Sequence, residues 1–387
     1  MVAPPARSLR VLVVYGTRPE AIKMAPVVAA LRARAKCFEP IVCTTAQHRE
    51  MIDQVQELFG LAPDLDLNLM TPDQSSNELT ARVITALDEV LERVQPDWLL
   101  VQGDTTTAMG AALAAFHHRI PVGHVEAGLR TGDLTRPFPE EANRRLIDIV
   151  AQALFAPTAR ARDALLAEGA DPDRLFLTGN TVVDALQSVA ATLGDTCRHD
   201  EVLVTVHRRE SFGEPIRRIC FAVAKLAERF PQLRWIYPVH HNPHVRDPAR
   251  LILERIPNVE LHDPFDYPEL LRYLKRARIV LTDSGGIQEE APAFGTPVLI
   301  LREKTERPEG VEAGVARLIG VEPETIVSAA TELLTDTAVY ESMATATNPY
   351  GDGRAAERIV AVLAGERFKP FEATTDAKKN PRTIATS

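Results

Sequence analysis

VLVVYGTRPEAIKMAP, Val11 to Pro26, passes from a buried strand into a helix. The apolar run Val11–Tyr15 has strand length and no polar alternation, the pattern of a strand covered on both faces. Gly16, Thr17, Arg18, Pro19 and Glu20 make the turn, and Pro19 suits a first helical turn. Lys23 follows one helical turn later. An arginine and a lysine at the edge of a core point to an anion docking there. The alternative is a pair of solvated cations at a helix start; Pro19 starts the helix under both readings.

The same strand–turn–helix unit recurs along the chain. EPIVCTT, DWLLVQGD and IPVGHVEAG resemble buried strands, and AIKMAPVVAALRARA and TTTAMGAALAAFHHR read as helices between them. That alternation is the signature of a doubly wound parallel sheet. The pattern breaks near residue 190 and restarts. EVLVTVHRRES, LRWIYPVH, RIVLTDSGG and TPVLILRE are strands, with helices PIRRICFAVAKLAERF and ELLRYLKRA among them. The fold class is therefore α/β: two Rossmann-like, doubly wound domains facing a cleft. Residues 1–190 form the first and 191–368 the second, and the last helix, in GRAAERIVAVLAGERF, is free to pack back on the first. Residues 369–387 have few apolar side chains and are expected to be disordered.

Size and charge agree with this division. The chain has 387 residues, 45% of them hydrophobic and 25% charged, enough for two cores of ordinary size. A formal net charge of −9 argues against a nucleic-acid partner, which requires a basic face, but leaves room for an anionic small molecule held by a few local cations. Cys37, Cys43, Cys197 and Cys220 show no C-x-x-C spacing and read as reduced thiols of a cytoplasmic protein. No apolar run is long enough for a membrane span, and none resembles an export signal.

In open parallel sheets ligands sit outside the carboxyl ends of the strands, so position along a strand nominates site residues. Asp104 follows the strand WLLVQG and Glu126 follows PVGHV; one βαβ unit carries both, so both carboxylates are expected at one sheet edge. A helix cap or local turn bond is the plainer reading of each. Glu140 begins the helix of PFPEEANRR, where Glu140 with Arg144 and Glu141 with Arg145 suit surface ion pairs; Glu140 also lies close enough in sequence to enter the same cleft. His207 ends the first strand of the second half, where a near-neutral imidazole suits acid–base work.

LTDSGGIQEEAPAFG supplies the complementary feature. Ser284, Gly285 and Gly286 allow a close backbone approach at a helix start, a ready phosphate site. Glu290 suits ribose hydroxyls, and Arg302, Lys304 and Arg307 follow the next strand. There is no Walker A sequence and no G-x-G-x-x-G, so no NAD fingerprint is present. His240, His241 and His244 are separated by Pro243 from any continuous-helix metal geometry, and no metal is expected. His117 and His118 suit a helix C-terminus.

Taken together, GTRPEAIKMAP, TAQHREM, VQGDTTT, HVEAGLRTGD, PFPEEANR, GNTVVDA, HRRES, YPVHHNP, LTDSGGIQEEAP, TERPEGVEAG and NPYGDGRAAERI run in one order across residues 11–360. In that order they resemble the non-hydrolysing UDP-N-acetylglucosamine 2-epimerase family. The resemblance implies a two-domain fold of the glycosyltransferase-B type, a homodimer, and interconversion of UDP-GlcNAc and UDP-ManNAc with no cofactor and no metal. By motif it assigns catalysis to Asp104, Glu126, Glu140 and His207. It assigns substrate binding to Arg18, Lys23, Ser284, Gly285, Gly286, Glu290 and Arg307. It also implies an activator site for a second UDP-GlcNAc at Gln47, His48 and His240. Ser211 stands where the family usually has asparagine, Ala46 where glycine is common, and Asp73 where some activator-dependent members carry arginine. The rivals are a UDP-sugar glycosyltransferase on the same fold and a non-catalytic UDP-sugar sensor.

Overall fold

The computed structural model describes residues 7–45, 49–71, 74–193 and 200–373. Thirteen parallel strands among them form two sheets. The first holds β1 (Leu9–Tyr15), β2 (Phe38–Thr44), β3 (Leu65–Asp66), β4 (Trp98–Gln102), β5 (Val122–Val125), β6 (Ala153–Ala156) and β7 (Leu175–Leu177) in the order β3-β2-β1-β4-β5-β6-β7. The second holds β8 (Glu201–Thr205), β9 (Arg234–Pro238), β10 (Val259–His262), β11 (Ile279–Thr282), β12 (Val298–Ile300) and β13 (Ala316–Leu318) in the order β10-β9-β8-β11-β12-β13. Val11 to Tyr15 are all fully buried, as the unbroken apolar run requires.

In each sheet the strand order reverses once, between β1 and β4 and between β8 and β11. The crevice outside a reversal is where open α/β sheets bind ligands. The turns after β1 and β4 carry Gly16 to Arg18 and Gly103 to Thr105; those after β8 and β11 carry His207 and Asp283 to Gly286. Glu20 fastens the first pair together. Its Oε2 accepts from Gly16 N (3.0 Å) and Thr17 N (2.7 Å), closing the start of the helix Arg18–Arg32. Its Oε1 accepts from Thr105 Oγ1 at 2.6 Å.

The eight strand stretches read from the sequence are present. The other five strands, β3, β6, β7, β10 and β13, are two to four residues long. Such short runs carry little periodicity of their own and form by pairing with an existing neighbour.

The closing helix, Ala355–Leu363, packs against the helices Arg18–Arg32 and Thr181–Ala190 of the first lobe. The Asp184 carboxylate accepts from the amides of Ala355 (3.2 Å) and Ala356 (2.8 Å). Asn180 N donates to Tyr350 O at 2.7 Å where the returning chain passes the departing one. Lys369 and Phe371, from the segment expected to be disordered, are docked: Lys369 O accepts from Arg358 Nε, and Phe371 N donates to Leu177 O at 2.9 Å with its ring buried. Cys37, Cys43 and Cys220 are free thiols, and burial pushes those of Cys43 and Cys220 up to about 12. Among the described residues no helix is long and apolar enough to cross a membrane.

Candidate active site

Glu126 follows β5 with a left-handed backbone, φ 68°. Side chains of this size seldom adopt that conformation, and where they do the surroundings must enforce it. Here Glu126 N and Ala127 N both donate to Phe155 O at 3.1 Å. The turn aims the buried carboxylate at the Lys23 ammonium, and Glu126 Oε2 also accepts from Gln102 Nε2 (3.1 Å) and Asn180 Nδ2 (3.2 Å). Burial alone would raise this carboxyl's pKa. The charges of Lys23 and Arg307 overcome that and hold it below the usual range.

Asp104 emerges one strand away, after Gly103 at φ 71°. Its carboxylate receives the Arg144 guanidinium, and Asn143 Nδ2 donates to its carbonyl at 2.9 Å. Behind it lies a buried chain: Gly103 O contacts His124 Nε2 (2.7 Å), His124 Nδ1 contacts Asp148 Oδ1 (2.6 Å), and Arg130 Nη2 donates to Asp148 Oδ2 (2.7 Å). Glu140 begins the helix Glu140–Val150, and its Oε2 is buried with no hydrogen-bond partner among the described residues. The expected Glu140–Arg144 pair does not form, because Arg144 turns to Asp104 and Glu141 instead. The Glu141–Arg145 pair does form (3.2 Å), but with the Glu141 side chain fully buried rather than on a solvated face.

On the second lobe, the amides of His207 (3.1 Å) and Arg208 (2.9 Å) donate to Asp283. Ser211 Oγ donates to the same carboxylate at 2.8 Å, which gives this hydroxyl a buried role in shaping the turn. The His207 side chain is 43% exposed and stacks on His240 with ring centroids 6.3 Å apart. Partial desolvation in the cleft holds its imidazole below the usual pKa; Asp283 pulls the other way, and Arg208, His240 and Arg18 add to the lowering. Gln47 and His48 lie outside the described residues.

Ser284 precedes the short helix Gly285–Glu290. A Cβ on Gly285 would stand 2.6 Å from Arg307 Nη1 and 3.1 Å from Arg208 Nη2, so a side chain there would push the guanidinium groups out of their present positions; Gly286 faces open space. Arg307 is buried, with Nε donating to Glu289 Oε1 (2.6 Å) and Nη1 to Glu306 Oε1 (2.7 Å). Glu306 also takes Arg208 (3.1 Å) and Arg302 (2.7 Å), so three arginines gather round one carboxylate beside the glycine turn. Glu290 accepts from Tyr267 Oη at 3.2 Å, and burial pushes its carboxyl up to about 7. Arg18 lines a cleft of about 350 Å³ with Gln54, Val55 and Leu58 on one wall and Asp266 and Tyr267 on the other.

The lobes meet through charge. Lys23 of the first lobe contacts Glu126 and stands 4.0 Å from Glu289 of the second, while Asn180 Nδ2 donates to Glu126 and to Glu289, both at 3.2 Å. One chain of contacts thus runs from the acidic edge to the arginine cluster. Residues 29–364 match the family model described as UDP-N-acetylglucosamine 2-epimerase. The chain belongs to the UDP-N-acetylglucosamine 2-epimerase family. It is 51% identical over 370 residues to the UDP-N-acetylglucosamine 2-epimerase of Yersinia pestis, covering 92% of this chain and 98% of that one. It is 50% identical over 375 residues to the enzyme of that name from Escherichia coli K12, covering 93% and 100%. The crystal structure of UDP-GlcNAc 2-epimerase from Neisseria meningitidis bound to UDP-GlcNAc superposes with a TM-score of 0.88 at 45% identity, covering 92% of this chain and all of that one. The two-lobed, glycosyltransferase-B type α/β fold of this epimerase family is therefore the fold of this chain.

Asn180, Glu289 and Glu306 are among the site residues that escape the sequence reading. Asn180 lies in GNTVVDA as a helix cap, and its Oδ1 does accept from Val182 N at 3.1 Å; the second use of its amide, between two carboxylates, has no local signature. Glu289 and Glu306 stand beside Glu290 and Arg307, so position gave some signal, but their pairing arises only from packing.

Proposed function

We propose that this chain interconverts UDP-GlcNAc and UDP-ManNAc by eliminating UDP and adding it back to 2-acetamidoglucal. The C2–H bond of the sugar is not adjacent to a carbonyl, so direct deprotonation is unfavourable. In the elimination a base takes the C2 proton, the C2–H electrons form the C1=C2 double bond, and the C1–O pair leaves on the β-phosphate of UDP. The reverse addition, with the proton delivered to the other face, inverts C2. Both faces need an acid–base group. Asp104, Glu126, Glu140 and His207 are the candidates: Asp104 and Glu126 follow adjacent strands of the first lobe, Glu140 begins the helix whose Arg144 holds Asp104, and His207 follows a strand of the second.

The observation that carries this reading is the unbroken contact chain Glu126–Lys23/Asn180–Glu289–Arg307, which joins an acid–base edge to a cationic, glycine-lined turn. Arg307, Arg18 and the Ser284–Gly286 backbone would face the charge that grows on the departing phosphate, where one well-placed donor is worth about 2.7–4 kcal/mol. Lys23 keeps Glu126 ionised, and Glu290 faces the ribose. His240, stacked beside His207, supports an activator site next to the same edge. Phe116 (49% exposed) and Ile149 (70% exposed), on two helices that pack together, support a homodimer closing over that face.

The test is UDP-GlcNAc alone in D₂O, followed by proton NMR. UDP-ManNAc carrying deuterium at C2 is expected. Unlabelled product would end the elimination scheme, free ManNAc with UDP would indicate hydrolysis, and an unchanged spectrum would leave a transferase lacking its acceptor or a sensor.

A further inference from the structure

Glu289 is a buried carboxylate of the site to which neither the sequence motifs nor the proposed reaction gives a task, and it reaches across both lobes. Its side chain is 1% exposed. Oε1 accepts from Arg307 Nε at 2.6 Å, Oε2 accepts from Asn180 Nδ2 at 3.2 Å, and Lys23 Nζ lies 4.0 Å from Oε2. Its backbone carbonyl accepts from Asn348 Nδ2 at 3.4 Å. Every side-chain partner is therefore a residue of the proposed site or the asparagine that also holds Glu126. A carboxylate that served only packing would not need to reach across the lobes for two of its three contacts.

We infer that Glu289 is a positioning residue that couples occupation of the diphosphate site at Arg307 to the proton affinity of Glu126. The inference rests on the roles proposed above for those two residues. In the free protein two carboxylates, Glu126 and Glu289, share two cations, Lys23 and Arg307. An arriving diphosphate competes for the Arg307 guanidinium. Glu289 then draws more heavily on Lys23 and on the shared Asn180 amide, and Glu126 loses part of the charge that keeps it ionised. The base becomes more basic when the leaving group is in place. An empty site keeps Glu126 as a weak base, which limits unproductive proton exchange. Glu290 and Tyr350 also act electrostatically on Glu289, and Glu306 on Arg307; none of these reaches Glu126 by a hydrogen bond.

The experiment is a carboxyl carbon-13 NMR titration of the full chain labelled at glutamate, with the Glu126 signal assigned by its loss in Glu126→Gln. Saturation with UDP is expected to raise the wild-type Glu126 midpoint by about one pH unit, a tenfold change in ionisation. Glu289→Gln keeps the size of the side chain and removes the charge, so the UDP-induced shift should fall to a small fraction of that, and kcat should drop more than KM changes. If that variant does not fold, Asn180→Ser removes the bridging amide and should likewise diminish the shift. No shift in the wild type, or an undiminished shift in either variant, overturns the coupling. Normal turnover by Glu126→Gln overturns instead the assignment on which the coupling rests.

Discussion

Replacing Lys23 by methionine is the most direct test of the lobe-crossing network. The substitution keeps an unbranched stem and removes the ammonium. Glu126 then retains two amide donors, Gln102 at 3.1 Å and Asn180 at 3.2 Å, and the more distant charge of Arg307. Breaking one side of a buried ion pair costs about 3–5 kcal/mol, and the surviving amides place this case near the lower end. At roughly 2–4 °C per kcal/mol for a lobe of this size, the melting temperature at neutral pH should fall by about 6–12 °C. The deficit has a defined pH dependence. The folded-state pKa of Glu126 is depressed, so the stabilisation it supplies is present above the ordinary carboxylate range and is lost as pH falls through the folded value. The melting difference between wild type and Lys23→Met should therefore narrow on acidification. Adding Glu126→Gln to Lys23→Met removes the stranded charge and should recover about 1–3 kcal/mol relative to additivity. Calorimetry across pH on the four proteins of this cycle is the assay. A loss under about 2 °C at neutral pH, or strict additivity in the cycle, would refute the reasoning.

Asp104→Asn should lower kcat by about 10²–10⁴, the usual worth of a positioned acid–base group, with the fold intact by circular dichroism; near-normal turnover would reduce Asp104 to a turn-forming role. Glu290, pushed up to about 7, should bind ribose hydroxyls best as the carboxylate. Affinity for UDP-GlcNAc in an Asp104→Asn background should thus weaken by about tenfold between pH 8 and pH 6, and Glu290→Gln should flatten that slope in calorimetric titrations. Asp184 sits with its pKa raised to about 6 by burial, so the folded state binds its proton more tightly than the unfolded chain does. Its contribution is full below the unfolded value and is lost as pH rises to about 6, a swing of up to about 3 kcal/mol. Asp184→Asn should abolish this part of the stability profile between pH 4 and pH 6, and an identical slope in denaturant melts would exclude it.

The amino-acid sequence carries this fold where physics acts locally. Val11–Tyr15 and Ile279–Leu281 are buried on both faces and carry only hydrophobic side chains, which marks them as central strands without any neighbour in view. Leu65–Asp66 and Ala316–Leu318 owe their strand state to pairing, so nothing in their own residues announces it. The same division runs through the site. Asp104, Glu126, His207 and Ser284 follow strands, and strand ends are readable. Helical spacing pairs Arg144 with Glu140, but Arg144 reaches Asp104 across the turn, a placement fixed only by how the Glu140–Val150 helix docks. Asn180 and Glu289 meet 109 residues apart, and no pattern in one sequence foretells that contact.

The closing helix has a consequence for how the protein is made. Ala356, Ile359, Val360 and Leu363 complete a core whose other members include Ile22, Val27 and Leu186. On a ribosome the first sheet emerges well before this helix, which follows only after the strands of both sheets have been made. Until then the flank that Ile22, Val27 and Leu186 present lacks its apolar cover.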